Sequence, residues 1–81
     1  MKYRVEFHSY FKDITETGES FFDMPEGATL GELIENVEIR FPKLREMKRS
    51  MLMAVGVEYE RKEYVLKEGD EVSLFPPVQG G

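Results

Sequence analysis

The chain has 81 residues, 41% hydrophobic and 12% aromatic, which suits one small domain with one core and leaves no room for a second. Eleven basic against sixteen acidic side chains give a net charge of −5, which opposes the phosphate neutralisation on which nucleic-acid affinity rests. Nucleic acid is therefore not expected as a partner, and a partner with a basic surface is. With no cysteine and a single histidine, His8, the chain has no disulfide, no thiolate nucleophile and no imidazole cluster, so any sulfur or metal has to come from elsewhere.

Met1-Lys2-Tyr3-Arg4-Val5 lacks the apolar stretch of a signal peptide, and no apolar run approaches the ~18 residues of a membrane span. A cytoplasmic location without membrane contact is expected. Tyr3, Val5, Phe7 and Phe11 share one parity and Lys2, Arg4, Glu6 and His8 the other, the alternation of a strand with one buried face. His8 falls on the polar face and reads as a surface residue. Residues 13–18 are polar and end in glycine, and Glu19 to Met24 carries Phe21-Phe22, so a loop and a second strand complete a hairpin that Pro25 closes.

Thr29-Leu30-Gly31-Glu32 fits a capping box, in which the threonine side chain serves an unpaired helix N–H and the glutamate reaches back. A helix from Leu30 then places Leu30, Leu33, Ile34, Val37 and Phe41 on one stripe, with Glu32, Glu35 and Glu38 expected to face water and Pro42 ending it. Residues 43–50 are basic, and Leu44 and Met47 are spaced for a short helical turn over one end of the core. Lys43, Arg45, Lys48 and Arg49 there read either as a solvated face or as a contact for phosphate or an acidic neighbour. The methionines, Met47, Met51 and Met53 among them, suit adaptable core filler.

Met51 to Val57 is apolar throughout, so it is placed inside the sheet rather than at its edge. Glu58 to Lys62 then reads as an exposed turn. Tyr64-Val65-Leu66 is expected to pair briefly before Lys67-Glu68-Gly69-Asp70 turns the chain into a last strand, Glu71 to Phe75. Glu68, Asp70 and Glu71 either steer the C-terminal residues towards a basic cleft or are simply solvated. The order of elements makes an α+β fold of two layers: a mixed sheet of four to five strands with one main helix across one face.

The chain ends Phe75-Pro76-Pro77-Val78-Gln79-Gly80-Gly81. Proline fixes φ and gives up its N–H, so Pro76-Pro77 ends the strand and favours an extended conformation. Glycine lacks a Cβ and fits a narrow cleft that other residues cannot enter. Residues 1–75 thus read as the folded domain and 76–81 as a projecting tail, with the α-carboxylate of Gly81 the group offered for chemistry. Phe75, on the opposite parity from Val72 and Leu74, is either an aromatic anchor for a partner or packed by the other sheet face.

The block from Leu66 through Gly81 resembles the small subunits of molybdopterin synthase, ubiquitin-like sulfur carriers with the β-grasp fold. Met24-Pro25-Glu26-Gly27-Ala28-Thr29-Leu30-Gly31-Glu32-Leu33 is similar to that family's strand-to-helix junction, so the resemblance spans essentially the whole chain. It implies that an activating enzyme using Mg-ATP adenylates Gly81, next to Gly80, and that the adenylate becomes a thiocarboxylate. It also implies a large catalytic subunit as partner, in a heterotetramer, with Phe75, Pro76, Pro77, Val78 and Gln79 binding it, and no cofactor bound by the chain itself. Catalysis and pterin recognition then lie in the partner, in keeping with the lack of any internal acid–base constellation. Where that family usually has an Asn-Gly turn this chain reads Ala54-Val55-Gly56-Val57-Glu58. Relatives that serve thiamine synthesis, tRNA thiolation or lysine conjugation share the fold and the Gly-Gly end, and an inert tail on a non-covalent binding module is the third reading.

Overall fold

The computed structural model describes residues 1–77 and, within them, every side chain but those of 47–50. Its elements are β1 (Lys2–Phe7), α1 (Phe11–Thr15), β2 (Glu19–Asp23), α2 (Leu30–Arg40), a 3₁₀ segment (Pro42–Ser50), β3 (Leu52–Val55), β4 (Glu58–Tyr59) and β5 (Glu71–Phe75). The five strands form one mixed sheet in the order β2-β1-β5-β3-β4. β1 and β5 run parallel at its centre, and the other neighbours pair antiparallel. The expected mixed sheet with one main helix is therefore observed.

The inward parity of β1 behaves as its alternation requires: Tyr3, Val5 and Phe7 are buried, and with Phe22, Val72, Leu74 and Val55 they meet the α2 stripe of Leu30, Leu33, Ile34 and Val37. Thr29 closes the capping box, its Oγ1 accepting from the Glu32 N–H at 3.2 Å while Glu32 Oε1 accepts from the Thr29 N–H at 2.8 Å. The helix ends at Arg40, where the Phe41 N–H still donates to Val37 O at 2.8 Å before Pro42. Leu44 of the 3₁₀ segment is fully buried and covers one end of the core, as its spacing suggested.

Three expectations are corrected. Phe11 does not extend the first strand, and residues 13–18 are not wholly loop: Ser9 turns the chain at φ 57 and Phe11 opens α1, which Glu16 ends at φ 61. Thr15 holds that turn, its hydroxyl 3.0 Å from Phe11 O and 2.8 Å from Thr17 O. Glu38 does not face water but is buried, because it lies four residues after Ile34, on the flank of the apolar stripe. Glu58 and Tyr59 are β4 rather than part of a turn, since Gly56, at φ 61, lets the chain reverse in two residues and pair Val55 with Glu58. The brief pairing expected of Tyr64-Val65-Leu66 is observed, as a bridge between Val65 and Thr29. The Leu30 and Gly31 N–H groups donate to the carbonyls of Tyr64 and Lys62 at 2.8 and 3.0 Å, so this segment satisfies the start of α2.

Candidate functional site

β5 buries Val72 and Leu74 against the core and turns Ser73 and Phe75 to the open face of the sheet. Its neighbours decide what Phe75 meets there. β3 places Leu52 directly opposite Phe75, and β4 places Tyr59 opposite Ala54, two residues along. On the other side, β1 runs parallel to β5, and the His8 N–H continues the ladder to Leu74 O at 3.1 Å. The His8 ring then lies flat on Phe75, with centroids 4.4 Å apart and planes 11° apart. Tyr59 approaches the same ring edge-on, at 6.4 Å and 74°.

Phe75 is thus half-buried, held by neighbours on the outer face yet not covered by them. Pro76 is buried and Pro77 half-buried, and an open cleft of about 270 Å³ runs between Ser9, Tyr10, Leu52, Tyr59, Phe75 and the two prolines. Tyr59 is 69% exposed and Tyr10 39%, so this cleft has aromatic walls that solvent reaches. Exposed aromatic rings of this kind are the commonest anchors of protein interfaces.

Away from the tail the outer face carries a row of charged side chains beside the exposed Phe21. Arg4 pairs with Glu6 and lies 3.0 Å from Glu19 Oε1, while Glu71 is its register partner on β5. The hydrogen bond to Glu6, then the charges of Glu6, Glu19 and Glu71, push the Arg4 guanidinium further up. Arg4 is thus tied to acidic side chains of its own sheet, beside the exposed ring of Phe21 on β2.

Glu68 and Asp70 lie at the opposite end of β5 from Phe75. Four steps at about 3.3 Å each separate Glu71 from Phe75, roughly 13 Å. They stand a strand's length from the tail root. Asp70 builds its turn instead, its Oδ2 accepting from the Tyr64 hydroxyl at 2.9 Å and the Lys67 N–H at 2.8 Å. Lys43 and Arg45 are exposed on the 3₁₀ segment, at the tail end of the molecule, and the side chains of Lys48 and Arg49 lie outside the described set.

Of the residues singled out by the sequence, Phe75, Pro76 and Pro77 come together in this cleft, whereas Val78, Gln79, Gly80 and Gly81 lie outside the described residues. Ser9, Tyr10, Leu52 and Tyr59 were missed as members, and His8 as the ring stacked on Phe75. Only the pairing of β5 with β1 and β3 joins them to Phe75, and no local pattern announces that pairing. Among the described residues no group of three or more His, Asp or Glu could hold a metal ion, and no helix is long and apolar enough to cross a membrane.

The profile of the ThiS family matches residues 5–81. The chain belongs to the ThiS family. A molybdopterin synthase sulfur carrier subunit of Mycobacterium tuberculosis is 32% identical over 66 residues, 82% of this chain and 80% of that protein. A putative molybdopterin converting factor, subunit 1, from Pyrococcus furiosus superposes with a TM-score of 0.87 at 30% identity, over 96% of this chain and 99% of its own. A chain from the complex of subunits 1 and 2 of the molybdopterin-converting factor of Helicobacter pylori superposes with a TM-score of 0.71 at 26% identity, with both chains fully covered. Its family and these neighbours make the fold a ubiquitin-like β-grasp.

Proposed function

We propose that this chain is the sulfur-carrier small subunit of a molybdopterin synthase. One observation carries the reading: the solvent-open aromatic cleft of Tyr10, Leu52, Tyr59 and Phe75 is continued by Pro76-Pro77, the residues that in the sequence lead to Gly80-Gly81. A partner that grips this cleft receives the end of the chain in the same encounter. Family membership, and a neighbour found in complex with a second subunit, support a large catalytic subunit as that partner.

The chemistry follows from the carboxylate. Its charge is delocalised and its oxygen leaves badly, so it must first be activated. An adenylating enzyme does this with Mg-ATP, forming an acyl-adenylate on Gly81 whose leaving group is AMP. A sulfur donor displaces AMP to give the thiocarboxylate. The sulfur is a better nucleophile than oxygen and attacks an activated carbon of the pterin precursor in the large subunit, displacing that carbon's leaving group. Water then cleaves the Gly81 acyl–sulfur bond, returning the carboxylate and leaving the sulfur on the precursor, which divides a hard transfer into easier steps. The side chains of this chain bind and deliver, and the proton transfers belong to the partners. Residues 76–81 act as the tail and 1–75 as its handle.

Incubation with the cognate activating enzyme, ATP and a sulfur donor is expected to raise the intact mass by one oxygen-for-sulfur exchange, and addition of the large subunit and precursor to reverse it. Deleting Gly81 should abolish the exchange while leaving the unfolding midpoint unchanged. An unchanged mass with an activator shown to be competent refutes the carrier role, and isopeptide-linked adducts in its place would assign the chain to protein modification.

A further inference from the structure

We propose that His8 is a positioning residue for the tail: by stacking on Phe75 it sets the direction in which Pro76-Pro77 leaves the sheet. The proposal rests on the carrier reading for its consequence, though not for its geometry.

His8 is anchored from below by its own backbone N–H, which donates to Leu74 O at 3.1 Å and so fixes the ring over the following residue of β5. Its polar atoms do not account for the arrangement. Nε2 has no hydrogen-bond partner and stands 3.9 Å from Glu6 Oε2, beyond hydrogen-bond distance. What the side chain supplies is a plane, 4.4 Å from the Phe75 centroid and tilted by 11°. Tyr59 meets the same ring edge-on, and Leu52 is its register partner on β3. Phe75 is therefore bounded on three sides by β1, β3 and β4, with His8 as the face-to-face contact.

Phe75 is the last residue of β5, and the next two are prolines with φ confined near −65°. An orientation imposed at Phe75 is passed on by residues that have little freedom to lose it. Without the stack, Phe75 regains alternative rotamers and the prolines sweep a wider range of directions. Fewer encounters then present the chain end in reactive geometry, where small misplacements are costly.

An aromatic pair of this kind corresponds to about a two- to tenfold change in an equilibrium. His8→Leu, which keeps bulk but not the plane, is accordingly expected to lower kcat/KM for thiocarboxylate formation by the cognate activating enzyme and ATP about two- to tenfold. His8→Phe, which keeps the plane, should stay within twofold of the parent. In a Phe75→Leu background, His8→Leu should have no further effect, because the ring it acts through is gone. An independent arm reads ¹³C and ¹H shifts of Pro76 and Pro77 in the free protein, which should move towards averaged values in His8→Leu and not in His8→Phe. Equal kcat/KM and equal proline shifts in all three proteins overturn the proposal. So does a His8→Leu loss that persists in full without the Phe75 ring. If the parent carries no sulfur at all, the carrier reading fails, and the proline shifts still decide the positioning role.

Discussion

Replacing Arg40 with alanine tests how the exposed edge of this sheet is protected. β2 is an outer strand, and unpaired strand edges are templates for association. Phe7 N donates to Gly18 O and Met24 N to Met1 O, so the even residues of β2 bond to β1 and the carbonyls of Glu19 and Phe21 point away from the sheet. Thr17 takes the first, its hydroxyl donating to Glu19 O at 2.9 Å. Arg40, at the end of α2, takes the second: Nη1 donates to Phe21 O and to Ser20 Oγ, both at 2.8 Å, and the guanidinium lies 3.9 Å from the Phe22 ring centroid. Two hydrogen bonds at an exposed site contribute about 0.5 kcal/mol each, and an exposed cation–π contact about 0.5–1 kcal/mol. Arg40→Ala should thus destabilise by about 1.5–2 kcal/mol, or roughly 6–16 °C in Tm for a domain of this size. Arg40→Lys, with one point charge and no fork, should lose about half of that. Urea unfolding followed by circular dichroism gives the stability, and sedimentation velocity over a concentration series should show Arg40→Ala self-associating where the parent does not. A stability change below about 0.3 kcal/mol, within the range of ordinary surface substitutions, would refute the assignment of these contacts as a clamp. A variant that is destabilised yet stays monomeric would keep the clamp and refute the edge argument.

Thr29→Ala removes one half of the capping box and is expected to cost about 1 kcal/mol in urea unfolding, without altering the rate of sulfur loading, since the cap lies away from the tail cleft. At high pH two phenols resist ionisation. Tyr3 is held above the ordinary 10.0 by its burial and then by Asp70, Glu68 and Glu26, and Tyr64 by its hydrogen bond to Asp70 and then by desolvation. The fold favours the neutral form of each. Their contribution is therefore complete below the unfolded value near 10 and is lost as pH rises through the folded values. Phenolate absorbance of the folded protein should show part of the tyrosine signal appearing at higher pH than in the urea-unfolded chain, and coincident titration curves for the two states would contradict this.

Local repetition is what made part of this fold legible in the sequence. Tyr3, Val5 and Phe7 alternate, Leu30 to Val37 recur at helical spacing, and Thr29 and Glu32 form a cap within four residues, so β1 and α2 follow from local chemistry alone. α1 and β4 escape such a reading because five and two residues are too few for either period to show. The burial of Glu38 escapes it because a glutamate on the flank of an apolar stripe reads as solvent-facing from helical spacing alone. The site divides in the same way. Pro76-Pro77 and Gly80-Gly81 carry their meaning in their own backbone restrictions, whereas the seat of Phe75 depends on a sheet order that puts the first and last strands side by side.

That order has its own consequence for the tail. Parallel strands end at the same edge of a sheet, so β1 and β5 deliver the residues after Phe7 and after Leu74 to one place. Had β5 run antiparallel to β1, Lys2 would stand beside the departing tail and His8 would lie six steps away, about 20 Å. The position just beyond the first strand is thus, with Leu52 of β3 and Tyr59 of β4, one of the points from which the body of this fold acts on the end of its last strand. Here it holds a flat ring against Phe75. A charged or β-branched residue at position 8 would leave the core intact and still change how the tail departs, which separates the tolerance of the fold from the tolerance of its function at a single site.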